Sequence, residues 1–315
     1  MNMLENSAIF MTGGAGTLGR AIAQRRKKEG WTGKLTVYST DTHKHELMKR
    51  LYSDVNYIQG DIRNPETLYN GMVGHDIVLH LGAVKVIPVS EFYSIDTIDV
   101  NVNGSINVCV QAIAAGIKHV LGISTDKACH PANAYGATKL LMEKIFQEYS
   151  RVESETQFHL VRYGNVLEST GSVIEAWNNS IERGEPIKIT DPEMTRFFLS
   201  PQQAVDLVIK SLEKPSGMIY IPKMKALSIG KLSAYVLADE WMDAKKIPLR
   251  PGEKMHETLL TIEEAEGAFY FPDHFAILPS TSKTFPYHLH ETNEYTSDIA
   301  PELTREELME LLKNE

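Results

Sequence analysis

The stretch "SAIFMTGGAGTLGRAIA", Ser7 to Ala23, decides how the chain is read. A short apolar run of strand length passes directly into a turn carrying Gly13, Gly16 and Gly19, and a helix is expected near 18–29. Glycines at this spacing let the backbone turn tightly and approach a pyrophosphate, whose charge the following helix N-terminus stabilises. The bare pattern is weak evidence; at a first strand–helix junction it points to a dinucleotide site. Further runs follow outward from it: "KLTVYS" (Lys34 to Ser39), "VNYIQG" (Val55 to Gly60), "DIVLHLGA" (Asp76 to Ala83), "HVLGIS" (His119 to Ser124) and "FHLVRYGNV" (Phe158 to Val166). Helices are expected between them near 64–72, 97–115 and 134–150. Apolar strands alternating with crossover helices define an α/β chain with a doubly wound parallel sheet.

Composition narrows the functional classes. The chain has 315 residues, 43% hydrophobic and 23% charged, and no apolar run approaches the roughly 18 residues of a membrane span. The 32 Lys and Arg against 41 Asp and Glu give a formal charge of -9, which argues against nucleic acid or anionic lipid as a partner. An anionic small substrate stays compatible if a few cations converge on a cleft. Cys109 and Cys129 match neither a disulfide framework nor a metal spacing, so no metal is expected and a reducing cytoplasm is the expected location. The start lacks the basic and apolar pattern of a signal peptide. Near the end, a short amphipathic helix from about Thr304 to Lys313 would dock through Leu303, Leu308, Leu311 and Leu312.

The chemistry concentrates in "STDKACHPANAYGATK", Ser124 to Lys139. Tyr135 and Lys139 stand four apart and share a helix face. A phenol titrating near 10 is a poor base at neutral pH, but a nearby cation favours its phenolate. Such a Tyr can deprotonate a sugar hydroxyl while hydride leaves the same carbon. Asp126 and Lys127 add an acid and a base. Ser124 either bonds the reacting hydroxyl or caps a turn, and Asp61 in "GDIR" either meets the adenine edge of a cofactor or caps a helix. The second strand ends in Ser39 and Thr40 with Lys44 farther on, which favours NADP, while Asp41 keeps NAD open. Cys129 and His130 read as loop-packing residues.

Together, "TGGAGTLG", "STDKACHPANAYGATK", "VRYGNV", "DPEMTRFFLS" and "RPGEKMHE" resemble the extended short-chain dehydrogenases, specifically the UDP-N-acetylglucosamine 4,6-dehydratases that invert carbon 5 and serve polysaccharide biosynthesis. The resemblance covers about Ala8 to Pro279. Epimerases of the group share the glycines, Tyr and Lys without the adjacent acid and base; dTDP-glucose dehydratases carry Asp-Glu in place of Asp126-Lys127. The resemblance implies an NADP-dependent hydro-lyase. Its catalytic groups would be Asp126, Lys127, Tyr135 and Lys139. Its cofactor would be held by Gly13, Gly16, Thr17, Leu18 and Gly19, by Ser39, Thr40 and Lys44, by Asp61 and Ile62, by Leu81, Gly82, Ala83 and Lys85, and by Asn101, Ser124, Tyr135 and Lys139. Arg196 and Arg250 would grip the substrate diphosphate and Glu253 would lie near the uridine ribose, with Lys85, Asn165, Gly171 and Ser172 lining the sugar site. Lys127, as an uncharged amine, would take the carbon 5 proton, and Asp126, protonated, would release the carbon 6 hydroxyl as water. A closed, dry site would shift the proton from Lys127 to Asp126.

Two departures stand out. Val86 occupies a position where the family often has His, and Thr40 one where it often has Arg. The expected organisation is a cofactor domain over 1–165 with a return segment near 201–212, a smaller lobe mostly over 166–279 and a tail over 280–315. A homo-oligomer is expected, with helices 97–115 and 134–150 at its interface. The alternatives are a UDP-sugar 4-epimerase, a dehydratase of another nucleotide sugar and a non-catalytic NADP-sensing regulator.

Overall fold

A computed structural model describes residues 2–167, 169, 172–237, 244–279 and 293–313. Six parallel strands come from the first half: β1 (Ile9–Thr12), β2 (Leu35–Ser39), β3 (Asn56–Gln59), β4 (Ile77–His80), β5 (His119–Thr125) and β6 (Gln157–Tyr163). Seven helices cover them: α1 (Thr17–Glu29), α2 (Thr42–Leu51), α3 (Pro65–Met72), α4 (Ile87–Phe92), α5 (Ser94–Ile98), α6 (Gly104–Ala114) and α7 (Ala134–Tyr149). The strand order β3-β2-β1-β4-β5-β6 is that of the doubly wound fold. β1 and β4 are buried along their whole length, as strands covered by helices on both faces must be.

The sheet continues with Ile219–Pro222, parallel to β6, and ends in the antiparallel strands His274–Ile277 and Phe269–Tyr270. The chain between residues 217 and 279, expected in the smaller lobe, thus returns twice to the large sheet. Helix Pro201–Leu212 is the anticipated return, packed on α1 and started by a capping box at Ser200 and Gln203. The rest of the lobe has a small sheet of Asn165–Val166, Thr195–Leu199 and Ala226–Ser228 and its own apolar cluster around Trp177, Met194 and Leu232. Leu303 and Leu308 are buried in that cluster and Leu311 and Leu312 pack against it, so helix Arg305–Lys313 docks as its leucine pattern indicates.

Several elements were absent from the sequence reading, α2, α4 and helix Val173–Glu182 among them, and one expected helix is broken. α2 begins at Asp41, whose carboxylate accepts the Lys44 amide at 2.9 Å, and buries His45 and Met48. The expected 97–115 helix is interrupted by a π-helical turn at Asp99–Asn103. That turn carries Asn101, whose amide side chain brackets Val84, accepting from its N–H at 2.8 Å and donating to its carbonyl at 2.9 Å. A π turn beside a functional crevice is a recurrent placement.

Candidate active site

The crevice opens where the strand order reverses, between β1 and β4. Gly13 sits there at φ +63, and a Cβ on it would lie 2.5 Å from the Gly82 Cα, so glycine alone permits the approach of the two loops. α1 starts at Gly16 and Thr17 with no side-chain cap, and the buried Thr17 Oγ1 has no hydrogen-bond partner among the described residues. An uncapped helix start beside an orphaned hydroxyl suits a phosphate, so the residues fit a dinucleotide. The cleft that runs from here to the smaller lobe is about 1270 Å³. A single drug-sized ligand needs roughly 300–1,000 Å³, so there is room for a dinucleotide and a second nucleotide side by side.

Most expected cofactor positions line this cleft: Gly13, Gly16, Thr17, Leu18, Gly19, Ser39, Thr40, Lys44, Asp61, Ile62, Leu81, Gly82, Ala83 and Lys85. Four have occupations that the sequence did not reveal. Ser39 Oγ is 2.7 Å from His45 Nε2. Lys44 pairs at 3.1 Å with Asp41, which is thereby both a helix cap and half of an ion pair rather than an unengaged carboxylate. Asp61 neither caps α3, which Asn64 does, nor stands alone: the Arg63 guanidinium grips it and holds its carboxyl below the usual range. Asn101 is absent from the cleft wall and acts through Val84.

The second part of the site is built at the end of β5. Asp126–Ala128 forms a short 3-10 turn, and His130 follows at φ 43, in the left-handed region, reversing the chain toward α7. Asn133 caps α7 by accepting the Gly136 amide at 2.8 Å. A Cβ at Gly136 would stand 2.1 Å from the Lys127 carbonyl, so this glycine lets the helix press on the turn and bring Tyr135 beside Lys127. Ser124 donates to Glu143 at 2.5 Å, and the hydroxyl that favours the Tyr135 phenolate is that of Thr125, whose Oγ1 also lies 2.8 Å from Asp126 Oδ1. Cys129 is buried against Arg162 Nη1 at 2.9 Å, and burial pushes its thiol well above the usual range, so it packs and does not react.

Tyr135 and Lys139 share a face of α7 and both line the cleft. Burial pushes the Tyr135 phenol up to about 12, opposed by the Lys127 charge and the Thr125 hydrogen bond. The cation acting on Tyr135 is thus Lys127. Lys139 turns along its own helix to Met142 Sδ at 2.7 Å, and burial lowers its pKa to about 7. Between about 7 and the usual 10.5 the unfolded chain holds this proton and the folded chain does not, so Lys139 makes stability rise with pH across that window. The stability advantage of Lys139→Met over wild type is expected to narrow by about 2–3 kcal/mol from about pH 6 to about pH 9 in urea unfolding; a gap independent of pH rejects the buried, near-neutral lysine.

At the centre, Lys127 Nζ lies 3.0 Å from Asp126 Oδ1, 3.2 Å from Asn165 Oδ1 and 3.3 Å from Glu257 Oε1. Asp126 is wholly buried, and desolvation raises its carboxyl in spite of the adjacent ammonium, which favours the protonated acid. Lys127 is pulled the other way. Burial disfavours its charge, but Asp126 and Glu257 outweigh burial and raise its pKa. The expected uncharged Lys127 is therefore corrected for the resting site: Asp126 first and Glu257 second hold Lys127 as an ammonium. Burial also opposes the Glu257 charge, and Lys127, Arg196 and Lys254 together overcome it, leaving the carboxyl below its usual range.

Arg196 also differs from expectation. Its Nη1 donates to the Thr195 and Met255 carbonyls at 2.7 and 3.1 Å and its Nη2 to Lys254 at 2.9 Å, with Nε 3.7 Å from Glu257. The guanidinium fastens the loop after Arg250 and lends the cleft its charge rather than an open fork. Arg250 and Glu253 line the same cleft, joined by the Arg250 amide donating to Glu253 at 3.0 Å. Ser172 caps helix Val173–Glu182 at the cleft edge, and Val86 lies on the wall; Gly171 is outside the described residues. Thr125 and Glu257 are the two functional positions that sequence reading passed over.

This fold and site define an extended short-chain dehydrogenase. Residues 9–279 match the model of a family described as polysaccharide biosynthesis protein, and the chain belongs to that family. It is 34% identical over 284 residues to a UDP-N-acetylglucosamine 4,6-dehydratase (inverting) of Campylobacter jejuni, covering 88% of this chain and 84% of that one. A protein of Rickettsia conorii named UDP-glucose 4-epimerase is also 34% identical, over 98% of this chain and 96% of its own. The X-ray structure of Pen from Bacillus thuringiensis superposes with a TM-score of 0.90 at 32% identity, covering 99% and 98% of the two chains.

Proposed function

We propose that this chain is a UDP-N-acetylglucosamine 4,6-dehydratase, a hydro-lyase that inverts carbon 5 and uses NADP. Tyr135, with Thr125 bonded to it, takes the proton of the carbon 4 hydroxyl. A nicotinamide dinucleotide held at the turn of Gly13, Gly16 and Thr17 would supply the hydride chemistry, withdrawal from carbon 4 and return at carbon 6. The ketone at carbon 4 acidifies the carbon 5 proton, which Lys127 removes, while Asp126 protonates the carbon 6 hydroxyl so that it departs as water. Reprotonation of carbon 5 from the opposite face, by Tyr135 or a water, inverts the centre. The product is a UDP-2-acetamido-2,6-dideoxy-hexos-4-ulose suited to surface-glycan synthesis. NADP is favoured over NAD because the one acid following β2, Asp41, is taken up by Lys44 and the α2 cap.

The observation that carries this reading is Lys127 in the same cleft as Tyr135, with Asp126 wholly buried behind the wall 3.0 Å from Lys127 Nζ and burial favouring its protonated form. An epimerase, the reading favoured by the Rickettsia relative, needs an oxidising Tyr but no acid at carbon 6. The test is incubation of the loaded protein with UDP-N-acetylglucosamine in heavy water. Loss of one water with deuterium at carbon 5 is expected; a sugar that keeps its mass and changes only at carbon 4 establishes the epimerase instead.

The same reading divides the labour between a cofactor domain, 1–165 with the return at 201–212, and a substrate lobe drawn mostly from 166–279. It places the protein in the cytoplasm, and no helix among the described residues is long and apolar enough to cross a membrane. A homo-oligomer is supported by exposed Val89, Phe92, Tyr93, Ile95 and Ile98 on α4 and α5, continuing to Leu141 on α7. Light scattering that returns only the 35.3 kDa of one chain removes the oligomer.

A further inference from the structure

The proposed chemistry requires an amine at residue 127, and the structure holds an ammonium there in contact with both Asp126 and Glu257. Glu257 approaches Lys127 from the segment after Arg250 and acts on Asp126 as well. Its side chain is 4% exposed, its Oε1 is 3.3 Å from Lys127 Nζ, and its Oε2 is buried with no hydrogen-bond partner among the described residues. Asp126 mirrors it, with Oδ1 3.0 Å from Nζ and a buried Oδ2 likewise without a partner. The backbone of Glu257 is clamped at both ends by Ser297, which accepts from its N–H at 2.9 Å and donates its own N–H to its carbonyl at 2.8 Å. A carboxylate fixed this firmly against a base, with one oxygen unspent, is placed to exchange a proton with it.

We propose that Glu257 accepts the resting proton of Lys127, creating the amine that takes the proton of carbon 5, and returns the proton it accepted through Lys127 to Asp126 once water has left. This rests on the dehydratase reading above. The protons balance. The ammonium of Lys127 and the carboxylate of Glu257 become an amine and a carboxylic acid, a change favoured when a seated substrate excludes water and penalises both charges. The amine takes the carbon 5 proton and becomes an ammonium again. Asp126 gives its proton to the carbon 6 hydroxyl, the carbon–oxygen bond breaks, and water departs. Asp126 is then a carboxylate and Glu257 an acid on either side of one ammonium, so a single proton passed along the three groups restores the resting state. The other groups facing Glu257 are cationic: Arg196 at 3.7 Å and Lys254, whose Nζ donates to the Cys129 carbonyl. His256, next in the chain, turns to Thr195. Tyr135 lies beyond Lys127.

The test compares the full chain with Glu257→Gln in two ways. Isotopic reductive methylation across pH, read by NMR, reports the charge of Lys127 without turnover: Lys127 is expected to label at lower pH by at least about one unit in the variant, and an unchanged midpoint overturns the coupling. With UDP-N-acetylglucosamine, the variant is expected to oxidise carbon 4 within about threefold of wild type, to lose water about 10²-fold more slowly at neutral pH, and to recover as pH rises and solvent takes the proton. A purely structural ion pair predicts the reverse, because a more easily neutralised Lys127 would eliminate at least as fast; that result overturns the proposal. Should Glu257→Gln fail to fold, Glu257→Asp keeps the charge while withdrawing it by a methylene, and wild-type water loss from that variant is equally adverse. If wild type itself releases no water, the dehydratase reading fails, while the labelling still decides whether Glu257 governs Lys127.

Discussion

Lys127→Ala is expected to stop water loss by about 10³-fold while leaving oxidation at carbon 4 measurable, since general-base catalysis contributes about 10²–10⁴. The two steps separate because they use different groups. Tyr135, Thr125 and Lys139 stand on β5 and α7 and survive the substitution, whereas the base for carbon 5 is removed. Mass spectrometry would find the sugar intact, and reduced nicotinamide would accumulate because the elimination that precedes hydride return is blocked. Tyr135→Phe provides the contrast, with neither cofactor reduction nor water loss. Water loss by Lys127→Ala at the wild-type rate would falsify its role as base. The variant also carries a pH signature. Lys127 is the largest attractive influence on Glu257 and holds its pKa down, so wild type gains stability from this carboxylate above the usual 4.5 and loses it as pH falls. Without the ammonium, Asp126 and Glu257 face each other in a buried site. The stability deficit of Lys127→Ala should accordingly grow as pH rises above about 5, by a few kcal/mol in thermal or urea unfolding.

What the sequence disclosed follows from the range of the forces involved. Gly13, Gly16 and Gly19 could be read because a tight turn imposes its demand on the residues that make it. Tyr135 and Lys139 could be read because the helical period places i and i+4 together, and they do share a face of α7. Thr125 was passed over, with Ser124 alone considered. Successive strand residues point to opposite sides, and a shift of one residue in assigning the face exchanges the hydroxyl near Tyr135 for the one bonded to Glu143. Glu257 gave no local signal. It stands 130 positions after Lys127 and reads as one more acid at the end of "RPGEKMHE"; only the folding of the smaller lobe onto β5 makes it the partner of the base. The charge of Lys127 was misjudged partly for that reason. Burial was anticipated correctly, but Asp126 and, after it, Glu257 reverse its effect. Arg196 shows a similar limit: its residue type suggested phosphate, and the backbone carbonyls that occupy it belong to a loop some 60 residues away whose path cannot be read from composition.

Arg162→Met is expected to destabilise the protein by about 3–5 kcal/mol at about pH 8, the range for breaking a buried ion pair from one side. Arg162 on β6 is fully buried, and its guanidinium joins three separate pieces of the chain. It binds Glu143 of α7 through Nε at 2.8 Å and Nη2 at 2.7 Å. It binds Glu264 through Nη1 at 2.7 Å and Nη2 at 2.8 Å, and donates from Nη1 to the Leu259 carbonyl at 3.0 Å. Met fills similar space but leaves both carboxylates with no cation between them. The sign with pH follows from Glu264. Burial raises its carboxyl, yet hydrogen bonds and charge from Arg162 outweigh this and lower its pKa, so its stabilising contribution exists above the usual 4.5 and disappears as pH falls through its folded value. In the variant the acid form becomes the cheaper one, and the deficit should shrink toward about pH 5 as protons replace the lost cation. Adding Glu143→Gln and Glu264→Gln to Arg162→Met should recover part of the loss, because the unpaired charges cost more than the missing pair contributed. A deficit below about 1 kcal/mol at pH 8, or one that does not vary with pH, would show the cluster to be energetically idle. The consequence reaches the chemistry through Ser124 and Glu143: β6 fastens α7 through Arg162, α7 carries Tyr135 and Lys139, and the same guanidinium ties down the segment that follows Glu257.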